Sequence, residues 1–331
     1  MAIDIGAVRH YVELLTEDGV RFSLDGALLS LEREEPERQL AQRVTIKLAN
    51  ISVGKKKLMS IVKLNCPLYV YGEWGDGKHL LFDGIVWEWQ YANASENELT
   101  ITAYDRMIRL QQSKDIGYYS AGMQTQAILS DICNNWGIPL NYQWKHSTTH
   151  GKKAFNAIAV SDMVVELLDE VKGRTGEKYV AHFRDGALHV IGYGINTVVF
   201  HFDGKTTIAT DDRLTIDRLV TRVKVVGAAD DDGKTAVEAI VEGDTSFGVL
   251  QEIVRRDSDK TIEDAKAEAG TILKERGKPE ETITITVPDL PFLRRGDRIE
   301  VEAANLKGFF YAIGLSHNAT SKQMTLTLTR G

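Results

Sequence analysis

Residues 99–104, Leu-Thr-Ile-Thr-Ala-Tyr, alternate apolar and polar side chains without a break. Leu99, Ile101 and Ala103 share one side, and Thr100, Thr102 and Tyr104 the other. A period of two is the period of a strand and does not fit a helix. The same alternation fills most of residues 10–104. HYVELL and VRFSL flank Asp18-Gly19, a hairpin turn signal. ALLSLERE and RVTIKLAN follow. PLYVYGEW and LLFDGIVWEW flank Gly75-Asp76-Gly77, and the polar loop NASENE leads into LTITAY. About seven short strands at regular spacing predict a small barrel or sandwich. Alternation returns over residues 281–330 in ETITITV, DRIEVEA, GFFYAIGLSH and QMTLTLT.

The middle of the chain changes period. In MQTQAILSDICNNWG, Met123, Ala127, Ile128, Ile132 and Trp136 fall near one helical face, and Gly137 and Pro139 end the run. Ser161 is expected to N-cap DMVVELLDEVKGRTG. KYVAHFRDGALHVIGYG predicts a hairpin turning at Asp185-Gly186, and RVKVVG pairs with AVEAIVEG around ADDDG. Thr261 is expected to cap TIEDAKAEAGTILKERG, which has acids in its first turn, Lys and Arg in its last, and Gly277 after it. The expected fold class is α+β, mainly β: two similar small β-barrel domains separated by an α+β insert. The expected domains are 1–112 (first barrel), 113–200 (insert) and 201–331 (second barrel, with an inserted helix at about 261–277).

The two β-rich ends resemble each other in the order and spacing of their features. PLYVYGE, LLFDGIVWEW, a polar loop and LTITAY correspond to DRIEVEA, GFFYAIGLSH, the loop NATSKQ and MTLTLT. This register sets Phe82 against Phe310, Gly84 against Ala312, Ile85 against Ile313, and Ile101 against Leu326. Two similar domains in one chain can take equivalent places around an axis. Three copies would then present six similar units.

Composition limits the function classes. The 331 residues are 43% hydrophobic and 26% charged, enough for a sizeable core, and the net charge is -7. An acidic chain is a poor binder of nucleic-acid backbone, and Lys55-Lys56-Lys57 beside a glycine reads as a solvated turn. No run reaches the ~18 apolar residues of a membrane span, and MAIDIGAVRHYVELL lacks the pattern of a secretory signal. Cys66 and Cys133 lie far apart and are expected to be buried free thiols.

Candidate chemistry is sparse. His146 and His150 have i,i+4 spacing, but no helix pattern and no third ligand accompany them, so loop histidines are expected and no metal. GEWGDGKH lacks the Gly-Lys-Ser/Thr ending of a phosphate loop, and GYGINT lacks a dinucleotide fingerprint. Neither a GxSxG motif nor an activated cysteine is present. Arg295-Gly296-Asp297 reads as a turn feeding DRIEVEA. Glu73, Glu88 and Asp105 lie near Trp74, Trp87, Trp89 and Tyr91, which leaves a sugar-cleaving or sugar-binding groove as an alternative. At Tyr104-Asp105-Arg106 the strand period stops. Asp105 is placed to accept from the N–H of Met107 or Ile108, Tyr104 to pack at a sheet rim, and Arg106 to face solvent or a neighbouring chain. This corner is read as structural, with no catalytic residue and no cofactor.

The stretch YDRMIRLQQSKD after a strand resembles the corner of the phage-tail hub family, the XkdQ/YqbQ-type proteins related in fold to late control gene D proteins. ILSDICNNWGIP, GEKYVAHFRDGALHV, VEGDTSFGVLQEIVRRD, TIEDAKAEAGTILKERGKP and VPDLPFLRRGDRIEV through GLSHNATSKQMTLTL are similar to that family in order and spacing. The resemblance implies a non-enzymatic homotrimer forming a pseudo-six-fold ring between the tail tube and the central spike. It implies tail tube, spike, LysM-type and other baseplate proteins as partners, DNA only in transit through the lumen, and no membrane. It implies assembly in the host bacterial cytoplasm and residence in the baseplate of the particle, with no lytic domain after Arg330-Gly331. Arg106, Arg109, Arg294 and Arg295 are the candidate subunit-interface residues. A peptidoglycan hydrolase or cell-wall-binding tail-tip protein is the alternative.

Overall fold

The computed structural model describes residues 8–331 apart from 76, 93–96, 230–232 and 257–260. The start of the N-terminal segment read for a signal, the turn residue Asp76, most of the NASENE loop and the three aspartates of ADDDG lie outside the described residues. The protein is mainly β and α+β, with 51% strand and 17% helix. It divides into two compact units, residues 1–210 with 284–331, and residues 211–283.

One six-strand motif occurs twice in the main sheet, whose strands Ala209–Thr215 and Glu280–Pro288 run across the 210/211 and 283/284 boundaries. In the first copy the strands lie side by side in the order Leu28–Glu35, Arg43–Ala49, Glu98–Asp105, Gly77–Ala92, Pro67–Trp74, Arg9–Leu15. In the second copy the order is Ala209–Thr215, Glu280–Pro288, Gln323–Arg330, Leu306–Asn318, Arg298–Ala303, Phe200–Asp203. Numbered along the chain, both copies read 2-3-6-5-4-1. One detail differs: Arg9–Leu15 runs antiparallel to its neighbour, and Phe200–Asp203 runs parallel. The corresponding phenylalanines, Phe82 and Phe310, are both fully buried. Both central strands carry a bulge against the last strand, at Val86/Glu88 and at Ala312/Gly314. A bulge bends and twists its strand, so the second half of each central strand leaves its first neighbour.

Among the described residues no strand pairing closes either motif into a barrel. Instead the outer edge of Leu315–Asn318 pairs antiparallel with Glu32–Glu35 and joins the two motifs into one continuous sheet. An edge that pairs with a second motif is not available to close its own. The alternation identified over 99–104 buries Leu99, Ile101 and Ala103 with Val12, Val44, Ile46, Leu68 and Phe82.

Between the motifs lies a layer with its own core. Helices Ile108–Gln112, Thr125–Asn135 and Val160–Thr175 pack with the hairpin Tyr179–Arg184/Ala187–Gly192 around Met107, Ile128, Leu129, Val164, Leu167 and Leu188. Asp185 and Gly186 both have positive φ, 49° and 77°, as a two-residue hairpin turn requires. The third helix corrects an expectation. It begins at Val160 after Ala159, with no side-chain cap, and Ser161 lies inside its first turn. The Val160 N–H donates to the Ser113 carbonyl at 3.0 Å, so a first-turn donor is met by backbone just before strand Lys114–Tyr119.

The second unit sets strand Arg222–Ala229 between Thr235–Glu242 (antiparallel) and Gln251–Arg255 (parallel). Helix Ile262–Arg276 covers them through Ala265 and Ala269, over Val223, Val225 and Val254. Thr261 and Asp264 form a capping box at its start.

Candidate functional site

The corner at Tyr104–Arg106 is built where strand Glu98–Asp105 ends. Asp105 is buried and accepts the Met107 N–H at 2.8 Å and the Gln42 N–H at 2.8 Å, one on each carboxylate oxygen. It therefore ends the strand, starts the turn towards helix Ile108–Gln112 and ties both to the 36–42 loop. Burial pushes its carboxyl up to about 8, against the pull of the two N–H donors. Opposite it lies Gly84. A Cβ there would sit 2.3 Å from the Tyr104 carbonyl oxygen and 2.3 Å from the Phe82 ring, so only glycine fits. Tyr104 packs edge-on against Trp87, centroids 6.3 Å apart. Arg106 is exposed, and so is Arg109, which donates to Asn65 Oδ1 at 3.2 Å.

Arg294 and Arg295 take a different place from Arg106 and Arg109. Both point into the chain's interior, where they meet Glu35. Arg294 Nη1 donates to Glu35 Oε1 at 2.8 Å, Gln42 Nε2 donates to the same oxygen at 3.1 Å, and the Arg295 N–H donates to Oε2 at 3.2 Å. Arg33, on the same strand, lies 3.5 Å from Oε1 and donates to the Pro291 carbonyl at 2.6 Å. The Arg295 guanidinium donates to the carbonyls of Pro36, Gln39 and Ala181. Burial alone would raise the Glu35 carboxyl, but Arg294 and Arg33 outweigh it and hold the group well below the usual range. Burial lowers Arg33 to about 9 and His182 to about 4. The Glu35 carboxylate thus joins the first motif to the Leu293–Asp297 turn of the second motif, and the Arg295 guanidinium carries the link on to the central layer at Ala181.

The seam between the motifs continues this cluster. Arg33 pairs with His317 in the strand register, and His317 Nδ1 lies 2.6 Å from Asp289 Oδ1. Both side chains of that pair are buried. Arg33 and Glu35 were absent from the sequence candidates. Their signal was readable: they follow Leu31 at i+2 and i+4, which puts them on the apolar face of their strand.

The cavity at this junction has a volume of about 40 Å³ and is lined by Glu35, Gln42, Asp105, His182, Arg294 and Arg295. That is room for water and not for a sugar or peptide. The aromatic residues near Glu88 divide between two places: Trp74 stacks on His79 and lies tilted against Phe292, whereas Trp87 meets Tyr104. His150 is buried, 2.9 Å from Thr125 Oγ1 and 3.0 Å from Glu170. No group of three metal-ligating side chains occurs among the described residues. Cys66 and Cys133 are buried and unpaired, and burial raises the Cys133 thiol to about 11. No helix among the described residues is long and apolar enough to cross a membrane.

A family model described as YQBQ-like matches residues 39–329. The chain belongs to the YqbQ-like family. It is 25% identical over 243 residues to the uncharacterized protein YqbQ of Bacillus subtilis, covering 73% of this chain and 68% of that one. Two solved structures share the fold of this YqbQ-like chain. The 43 kDa tail protein of prophage MuSo2 from Shewanella oneidensis has a TM-score of 0.68 at 13% identity, over 97% of this chain and 98% of that one. The tail protein from Neisseria meningitidis MC58 has a TM-score of 0.67 at 13% identity, over 97% and 96%. Both of these neighbours are tail proteins.

Proposed function

We propose that this YqbQ-like chain is the structural hub of a contractile phage or phage-like tail. In this reading three copies form a pseudo-six-fold ring of barrel-like sheets that joins the hexameric tube to the trimeric spike. The ring is assembled in the bacterial cytoplasm and resides in the baseplate, against LysM-type and other baseplate proteins. DNA passes through its lumen. The observation that carries the reading is the six-strand motif repeated in one chain in the same order. Such a chain offers two similar faces per copy, so a three-fold ring matches a six-fold neighbour. The tail-protein neighbours support it at the level of fold.

The role is symmetry matching through buried surface, without catalysis. A hydrolase reading requires a carboxylate pair open to a substrate, yet Asp105 is sealed behind two backbone donors beside a cavity of about 40 Å³. Mass measurement of the chain in solution and micrographs of assembled tails test the ring: three chains per particle are expected. A persistent monomer at micromolar concentration, with no ring in the tails, overturns it. Zymography on peptidoglycan is expected to show no lysis; lysis abolished by Asp105→Asn would restore the enzyme.

A further inference from the structure

A second cavity, of about 220 Å³, lies within the first unit where the 36–42 loop, helix Val160–Thr175, strand Tyr179–Arg184 and strand Gln323–Arg330 meet. Its charged wall is Arg38, Lys172, Lys178 and Arg295 against Glu37 and Asp169. In a chain of net charge -7, four cations face two carboxylates here. Those carboxylates already have partners. Asp169 accepts the Tyr179 hydroxyl at 3.1 Å and lies 3.9 Å from Lys172. Glu37 lies 3.8 Å from Arg38, with both side chains exposed.

Lys178 and Arg295 are differently placed. The half-buried Lys178 donates to neutral oxygens, Thr329 Oγ1 and the Arg330 carbonyl, both at 3.3 Å. The charge that acts on it is another cation, so burial and Lys172 both lower its ammonium from the ordinary value. Arg295 is 7% exposed. Its Nη groups serve the carbonyls of Pro36, Gln39 and Ala181, while its buried Nε has no hydrogen-bond partner among the described residues. Most buried polar groups in folded proteins have one. Tyr193 stands close enough to Arg295 for each to affect the other's titration. The remaining wall includes Leu40, Val165, Val180 and Ile313. An apolar wall with a few convergent polar groups is the usual make-up of a ligand site. A cavity of about 150 Å³ accepts benzene, so this one has room for roughly six to ten non-hydrogen atoms.

We propose that this cavity binds a carboxylate carried on a short apolar stem, with Lys178, Tyr193 and Arg295 facing the carboxylate and Leu40, Val165, Val180 and Ile313 around the stem. A free short-chain carboxylate and a glutamate side chain in a protein segment offer the same chemistry. Inorganic phosphate has the charge without the stem, and a neutral amide has the stem without the charge. The site stands whether or not the chains form a ring.

Titration calorimetry on the full chain tests it with butyrate, butyramide, inorganic phosphate and a blocked pentapeptide bearing one central glutamate. Butyrate is expected to bind in the millimolar range, and butyramide and phosphate about tenfold more weakly or worse. A pentapeptide that binds more tightly than butyrate assigns the stem to a protein segment; one that binds no more tightly assigns it to a free carboxylate. If neither butyrate nor the peptide saturates, or if phosphate or butyramide matches them, the site is overturned. Lys178→Met is expected to weaken binding about tenfold while the urea midpoint of the free chain stays or rises, because the charge it removes is desolvated beside Lys172. A lowered midpoint would make Lys178 a clamp on strand Gln323–Arg330 and overturn its reading as an uncompensated cation. Tyr193→Phe, which leaves the charges in place, is expected to weaken binding about threefold to tenfold. Binding unchanged in both variants overturns the site even where butyrate binds the wild-type chain.

Discussion

Two carboxylates are buried within one junction, and their titrations are shifted in opposite directions. Glu35 faces guanidinium groups from Arg33 and Arg294 and stays ionised far below its ordinary range. Asp105 accepts only uncharged backbone donors at close range, and burial raises it to about 8. The difference teaches that burial depth alone does not set a titration. The charge of the nearest donors decides whether desolvation is overcome. It also separates two jobs, since Glu35 joins segments distant in sequence while Asp105 shapes a local corner.

The largest expected effect comes from breaking the charged junction. Glu35→Gln removes the carboxylate shared by Arg33 and Arg294 and is expected to cost about 3–5 kcal/mol, read as a shift of the urea midpoint. A loss below about 1 kcal/mol would mean that water already screens the cluster. Gly84→Ala, on the strand opposite Asp105, is expected to cost about 1–3 kcal/mol because the new methyl meets the Tyr104 carbonyl and the Phe82 ring. A neutral result would show that the strands part at no expense. Asp105→Asn keeps the shape but turns an amide N–H towards one of two backbone donors, a loss of about 1–3 kcal/mol.

The pH dependence sharpens the contrast. Glu35 has a folded pKa below its unfolded value, so its contribution is present above about 4.5 and is lost as pH falls further. Asp105 has a folded pKa above its unfolded value, so its contribution is lost as pH rises from about 3.8 towards about 8. Denaturant midpoints of wild type, Glu35→Gln and Asp105→Asn across about pH 2 to 9 are the measurement. The wild-type advantage over Asp105→Asn should shrink towards alkaline pH, and the advantage over Glu35→Gln towards acid. Parallel curves would sink the assignment of opposite shifts. The smallest expected effect is that of Arg106→Ala, within about 0.5 kcal/mol for the isolated chain, because its side chain is exposed.

Local signals were legible and the junction was not. The strand at 99–104, the Asp185-Gly186 turn and the Thr261 cap depend on residues within a few positions of one another, so pattern reading reaches them. The Asp105 corner was half legible, because the Met107 donor is local and the Gln42 donor lies 63 residues away. Arg294 and Arg295 were candidates for a subunit interface, because no partner for their side chains is legible nearby in the sequence. Their partner Glu35 is 259 and 260 residues distant.

By itself the sequence determined the period of each segment, the turns and caps between them, and the repeat of one β-rich pattern at both ends. Those properties follow from side-chain spacing and backbone preference over a few residues. Only the tertiary structure decided that the two motifs share one sheet and that charges on an apolar strand face are paired inside it. Burial and edge pairing depend on which distant segment arrives alongside, and no local pattern carries that information.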